Sequence, residues 1–114
     1  MTKSGGRQIA TKESTTGTSK VVSIEHLINE EERGNGCGLF AEVTIEVGAT
    51  LGYHEHHGET ETYYITQGSG MYRDNDKLYP VSVGDVVFCK DGDGHGLANT
   101  CDVDLKFVAL ILKK

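Results

Sequence analysis

Apolar and polar residues alternate along the chain between Leu39 and Val47. Every second residue of this stretch is apolar, and the residues between them include Glu42, Thr44 and Glu46. Successive side chains of a strand point to opposite faces, so the alternation predicts a strand with one buried and one polar face. Seven further segments are typical of short strands: 51–56, 61–66, 70–74, 77–81, 85–89, 95–100 and 105–112.

Glycines or Asp/Asn pairs separate most of these segments, and residues 74–77 have the composition of a hairpin turn. Closely spaced short strands with turn residues between them indicate a sandwich or barrel rather than alternating strands and helices. The composition agrees, since the chain contains 15 Gly, one Pro and no Trp. We therefore predict an all-β fold. A weak helix signal lies in residues 25–32, where His26 is expected at the surface.

The chain of 114 residues is long enough for one hydrophobic core and too short for two ordinary domains. Residues 1–19 are mostly Thr, Ser, Gly, Lys and Gln, with Ile9 and Ala10 as the only apolar pair. Such a segment buries too little surface to offset its ordering entropy. We predict a flexible arm over 1–19 and a single domain over 20–114. The alternative is that the arm forms a strand against a second subunit.

Charge and composition exclude several classes of function. Eleven basic and 17 acidic residues give a net charge of −6, and no basic cluster is present that could bind nucleic acid. No apolar run approaches the roughly 20 residues of a membrane helix. Residues 1–6 lack the apolar segment of a secretory signal, so a cytoplasmic location is expected. Cys37, Cys89 and Cys101 show no C-x-x-C spacing, which disfavours a disulfide framework or a zinc ribbon.

Histidines and a glutamate form the candidate chemical site. His54 and His56 are two residues apart, so a strand places both imidazoles on one face. Gly58 supplies a turn that returns Glu61 toward this pair, and a glycine-rich turn precedes His95. Three nitrogen donors and one carboxylate suit Mn, Fe, Co, Ni, Cu or Zn better than Ca or Mg. The sequence therefore predicts a divalent transition-metal site.

In these segments the chain resembles the cupin superfamily. Its first motif, G(X)5HXH(X)3,4E(X)6G, is matched in full by Gly48, His54, His56, Glu61 and Gly68. The resemblance implies a double-stranded β-helix, the jelly-roll barrel of RmlC-like proteins, with the metal held by His54, His56, Glu61 and His95 inside it.

The second cupin motif, G(X)5PXG(X)2H(X)3N, is matched at Gly84, Gly92, His95 and Asn99. Lys90 stands where the motif has proline, which predicts a looser turn before His95 with the same ligands. The same stretch, residues 91–102, also carries the acidic spacing of a calcium loop. Such a loop requires flanking helices, whereas the flanking residues are β-rich, so calcium is disfavoured.

Neighbouring residues receive weaker assignments. Strand parity favours Glu61 over Glu59 as the ligand, and Glu59 is expected to be solvated. Glu61 is also a candidate acid or base in catalysis. His57 is expected on the opposite face of the strand. Tyr63 and Phe88 are the predicted pocket-lining residues.

The resemblance leaves three functions open. The first is a metal-dependent enzyme of the dioxygenase, isomerase, decarboxylase or lyase type that acts on a small oxygen-bearing metabolite. The second is a binding or sensing module without turnover, and the third is a barrel whose metal only stabilises it. The expected partners are a small-molecule ligand and a second copy of the chain, since small barrels commonly pair through sheet edges. Residues 1–24 are the predicted exchanged segment of this homodimer.

Overall fold

The computed structural model describes residues 3–15 and 20–114. Along these residues the elements are β1 (Ile9–Glu13), β2 (Val21–His26), α1 (Glu30–Arg33), β3 (Cys37–Ile45), β4 (Thr50–Glu55), β5 (Glu59–Gln67), β6 (Ser69–Asp74), β7 (Lys77–Ser82), β8 (Val86–Cys89), β9 (Gly94–Asn99) and β10 (Leu105–Lys113). One sheet has the order β1-β2-β3-β10-β5-β8, and the other has the order β4-β9-β6-β7. The strands pair antiparallel, and the two sheets enclose the core as a jelly-roll barrel. The predicted all-β fold is confirmed.

The alternation that predicted a strand is realised in β3. Ala41, Val43 and Ile45 are buried, and their neighbours along the strand are partly exposed. β10 lies between β3 and β5 and pairs with both strands, so its own alternating side chains complete this wall of the barrel. The alternation in the sequence extends to Val47, but the strand ends at Ile45. Val47 lies in the turn that follows and is exposed.

The core lies between the sheets and ends directly beneath the histidine cluster. Both sheets contribute buried residues to it, because each strand turns one face inward. Phe107 of β10 and Tyr63 of β5 are fully buried, and their ring centroids are 4.3 Å apart. The remaining members of the core are Val22, Val43, Ile45, Ala49, Ile65, Tyr72, Val81, Leu97, Leu105 and Ala109.

The helix is a single turn that ends at Gly34, and it begins later in the chain than the segment 25–32 in which the sequence placed it. Asn29 caps it, accepting a hydrogen bond from the Glu32 backbone N–H, while the Glu32 side chain accepts one from the Asn29 backbone. His26 lies at the end of β2 rather than on a helix, because pairing with β3 extends the backbone of residues 22–26. Within the described residues, no helix is long and apolar enough to cross a membrane.

The N-terminal arm differs from the expectation for residues 9–13, which form β1. The side chains of β1 are exposed, so burial does not order it. Its backbone instead pairs with β2 of the same chain, which satisfies the N–H and C=O groups of both strands. Composition alone does not predict such a pairing. The division at residue 19 and the homodimer stay predictions, and residues 16–19 lie outside the described part of the chain.

Gly70 allows β6 to approach the rest of the barrel closely, and Gly70→Ala should destabilise the protein. A Cβ at this position would overlap the Ala98 carbonyl oxygen and lie 2.9 Å from Leu105 Cδ2. Overpacking of this kind costs about 1–3 kcal/mol of unfolding free energy. Urea denaturation measures it, with Gly36→Ala as the control, because nothing lies within 4 Å of a Cβ there. Equal stability of the two variants would contradict this close approach.

Candidate metal centre

Four side chains from both sheets converge at one end of the core. His54 of β4 and His95 of β9 are directly opposite each other in the smaller sheet. His56 follows β4, and its backbone is hydrogen-bonded to Asp93 and Gly92 in the turn before β9. Glu61 comes from β5 in the larger sheet. The structure thus brings together the four residues named from the sequence.

The spacing of the donor atoms fits a single shared ion. Glu61 Oε1 lies 2.8 Å from His56 Nε2 and 2.9 Å from His95 Nε2. It lies 3.6 Å from His54 Nε2, and all four donors fall within 4.8 Å of one another. Ligands at about 2.0–2.2 Å from one ion and at right angles to each other are roughly 3 Å apart. The residues therefore fit a divalent transition metal, and the cluster could hold one.

The outer nitrogen of each imidazole has its own partner, which orients the ring. His54 Nδ1 donates to the Gly52 carbonyl oxygen at 2.8 Å, and His56 Nδ1 donates to Glu59 Oε2 at 2.6 Å. His95 Nδ1 lies 2.8 Å from the Tyr72 hydroxyl. A proton on each Nδ1 leaves the Nε2 lone pair directed at the shared point, as in established metal sites. The Gly52 carbonyl and the Glu59 carboxylate only accept, so they fix this tautomer for His54 and His56, whereas the Tyr72 hydroxyl can donate to His95 or accept from it.

Glu59 differs from its predicted role. The sequence analysis expected it to be solvated, whereas it is half-buried and holds His56. Neither Glu59 nor Tyr72 was identified from the sequence as part of the site. Glu59 could have been found by its spacing of three residues from His56, but the contact between Tyr72 and His95 depends on the pairing of β6 with β9.

The charge states of the cluster residues favour binding of a cation. Burial by itself raises the pKa of Glu61, but its close contacts with the imidazoles of His54 and His95 outweigh burial and lower the pKa to about 2. Burial lowers the pKa of His95, which keeps its imidazole neutral. The pKa of His54 is raised, mainly by its contact with the Glu61 carboxylate, while burial and the nearby Lys12 charge oppose that rise. An ionised carboxylate thus sits among nitrogen donors.

Tyr63 contacts the cluster from the core side. Its buried hydroxyl donates to Glu61 Oε1 at 3.2 Å, and its ring stacks on His95 with centroids 4.8 Å apart. Burial raises the pKa of this hydroxyl well above its usual value, so the proton stays in place. Tyr63 is also one of the residues that line the cavity beside the cluster.

Phe88 does not line that cavity, which corrects the sequence prediction. Its side chain is 58% exposed, because it pairs with Thr62 on the outer face of the sheet. The inward position on β8 belongs to Cys89, opposite Glu61. Burial raises the pKa of the Cys89 thiol to about 11, so it remains a neutral packed group. The aromatic character of Phe88 did not indicate which face of β8 it occupies.

The cavity has a volume of about 160 Å³. Pockets for drug-sized ligands are roughly 300–1,000 Å³, so this one suits a molecule of a few atoms. Three of the metal-binding candidates and Tyr63 form part of its wall, and Lys12 of β1 reaches it from the arm. Its apolar lining consists of Ile24, Leu39, Val43, Leu51, Ala109 and Ile111.

Other residues considered from the sequence lie outside the cluster. His57 has a side chain 71% exposed and contacts Glu55 at 3.3 Å. Asn99, a position of the calcium-loop alternative, uses its amide to donate to the carbonyls of Ile45 and Val103. The turn at Lys90 is closed by a hydrogen bond from the Asp93 N–H to the Lys90 carbonyl. A proline is not needed for that bond.

Two comparisons extend these observations to known proteins. The cupin domain family matches residues 41–111, a range that contains all four donors. An oxalate-binding protein from Thermotoga maritima is 41% identical over 91 residues, which cover 80% of this chain and 75% of that protein.

Solved structures agree with the sequence matches. A predicted oxalate decarboxylase from Thermotoga maritima has a TM-score of 0.89 and 34% identity, covering 100% of this chain and 99% of its own. A cupin 2 conserved barrel domain protein from Rhodopseudomonas palustris has a TM-score of 0.74 at 18% identity, covering 95% of this chain and 72% of its own. The latter likeness concerns the fold alone. The family match over residues 41–111 and the 41% identical relative show that the chain belongs to the cupin family, and its two-sheet barrel agrees with this.

Proposed function

We propose that this cupin binds a divalent transition metal through His54, His56, Glu61 and His95 and uses the bound metal to bind oxalate or a closely similar small dicarboxylate. The observation that carries the proposal is the convergence of three Nε2 atoms and Glu61 Oε1, with every outer ring nitrogen already engaged. Mn, Fe, Co, Ni, Cu and Zn all suit this donor set.

The ligand class follows from charge and size. A divalent metal beside one carboxylate retains one positive charge, which favours anionic oxygen ligands. Such a metal, when bound, supplies a Lewis acid that two adjacent oxygens of one small molecule can chelate. The small cavity beside the cluster favours a compact ligand. The name of the oxalate-binding relative supports the same choice.

Binding without turnover is favoured over the enzyme hypothesis, because the 41% identical relative is named an oxalate-binding protein and Glu61, the candidate acid, is already one of the proposed metal ligands. Decarboxylation of oxalate to formate and CO₂ places a proton on carbon, so a residue near the ligand must donate one. Glu61, the candidate acid, has a pKa lowered to about 2 and is therefore ionised. Tyr63 retains its proton, because burial raises the pKa of its hydroxyl far above neutral pH. Decarboxylation is the second candidate, supported by the name of the similar solved structure.

Calorimetry with oxalate tests the proposal. The protein is stripped with chelator and reloaded separately with each candidate metal. We expect one oxalate per chain in the loaded protein and none in the stripped protein. Succinate is the control ligand, because its carboxylates are too far apart for the same chelate, and it should bind more weakly. Equal binding of oxalate with and without metal would overturn the proposal, and formate released from oxalate would assign the second candidate.

A further inference from the structure

We propose that Lys12 makes the cavity selective for dianions by pairing with the part of the ligand that faces away from the metal. This inference rests on the proposed function and goes beyond it by naming a specificity-determining residue. Lys12 lies in the N-terminal arm, far from both cupin motifs, and nothing in those motifs points to it.

The pairing register of β1 and β2 places Lys12 on the face of the sheet that lines the cavity. Lys12 is directly opposite Val22 in the antiparallel pair, and Ala10 is opposite Ile24. Directly opposite residues in such a pair share one face of the sheet. Val22 is fully buried and Ile24 lines the cavity, so this is the inward face. Lys12 lines the same cavity but remains exposed, which places its side chain at the solvent side of the metal cluster.

Hydrogen bonds fix β1 at both ends. Before the strand, the Gln8 carbonyl accepts from the His26 N–H at 2.9 Å. After the strand, Ser14 Oγ accepts from the Thr50 N–H at 2.9 Å. Thr50 begins β4, the strand that carries His54. The backbone of Lys12 is therefore held between β2 and β4, the strand that carries His54, so its side chain starts from a fixed place beside the cavity.

Charge balance explains why a dianion would benefit. A divalent metal with the Glu61 carboxylate retains one positive charge, which a monoanion neutralises by itself. With a dianion bound, the metal, Glu61 and the ligand together carry one net negative charge, next to the apolar side chains that line the cavity. An unpaired charge in such surroundings is costly. Lys12 supplies the compensating charge and a donor for the outer oxygens of a chelated dicarboxylate.

Lys12 also has a possible role that does not involve a ligand, which is to prevent pairing between molecules. β1 is the edge strand of its sheet, and charged residues that point inward on edge strands discourage pairing between molecules. That role would make Lys12→Met more prone to association and would leave ligand affinity unchanged. Selection of dianions predicts the reverse.

The test compares Lys12→Met, Lys12→Arg and the control Lys77→Met in the metal-loaded full chain. Lys77 is an exposed lysine at the start of β7. Calorimetry measures affinity for oxalate, a dianion, and for glycolate, a chelating monoanion. We expect Lys12→Met to weaken oxalate binding about tenfold or more, as for loss of a hydrogen bond to a charged group. Glycolate binding should fall by a smaller factor, and Lys12→Arg should restore the preference for oxalate.

Each outcome has a definite meaning. Metal content should stay equal in all variants, and Lys77→Met should bind oxalate like the original protein. Unchanged oxalate affinity in Lys12→Met, or equal losses for oxalate and glycolate, would overturn the inference while leaving the proposed function intact. Loss of metal from Lys12→Met would also overturn it. An original protein that binds neither anion when loaded would overturn the proposed function and this inference together.

Discussion

Replacing His95 with alanine should reduce bound metal from close to one ion per chain to almost none. The His95 Nε2 atom lies 2.9 Å from Glu61 Oε1 and 3.0 Å from His56 Nε2, at the centre of the cluster. Removing it takes away one of the four proposed ligands and leaves the buried Glu61 with one polar neighbour fewer. Loss of a partner behind a ligand costs about 10–100-fold in metal affinity, so loss of the ligand itself should exceed that. Elemental analysis and competition with a coloured chelator measure it.

His57→Ala is the matched control, because this histidine lies in the same segment but points to solvent. It should retain the full metal content. Circular dichroism of both metal-free variants shows whether they are folded. If His95→Ala is unfolded, His54→Ala replaces it as the test, since His54 is less buried and its loss disturbs packing less. A folded variant of either kind with undiminished metal affinity would refute the shared site.

Phe107→Ala should lower the free energy of unfolding by about 3–5 kcal/mol. Phe107 of β10 is fully buried, and its ring contacts that of Tyr63 beneath the histidine cluster. Its truncation leaves a cavity between the sheets that neighbouring strands, held in register on both sides of β10, can close only in part. Urea denaturation of the metal-free protein measures the loss, because bound metal would add stability of its own.

Phe88→Ala is the control for this prediction. The same atoms are removed, but from a side chain on the outer face of β8. Exposed substitutions of this kind change stability by about 0.5 kcal/mol or less. A similar loss in the two variants would mean that Phe88 is packed inside the barrel, as the sequence analysis had expected, and that the assignment of faces in β8 is wrong.

The sequence pattern was enough to predict the structure where the conformation depends mainly on neighbouring residues. The hairpin at residues 74–77 is present, with Asn75 at a φ of 53°, a conformation that Asn tolerates. The strand over β3 follows from its alternation. In contrast, the helix signal in 25–32 was misplaced at His26, because pairing with β3 outweighed a weak local preference.

The residues around the proposed metal ligands were harder to predict from the sequence. Lys12 reaches the cavity only because β1 pairs with β2, and Tyr72 reaches His95 only because β6 pairs with β9. Both contacts join residues that are far apart in the chain, and their register has no local signature. Phe88 was misassigned for a related reason, since its face depends on which residue of β5 lies opposite it.

The sequence by itself determined the all-β class, most strand positions and the four donors, because alternation, turn residues and motif spacing are properties of short stretches of chain. Tertiary structure alone decided how those donors are oriented and what surrounds them. The partners of the three imidazoles, Gly52, Glu59 and Tyr72, and the lysine at the cavity come from contacts across strands and turns. A shift in register by one residue would reverse the face of every side chain in a strand, and register is fixed by the packing of the whole barrel.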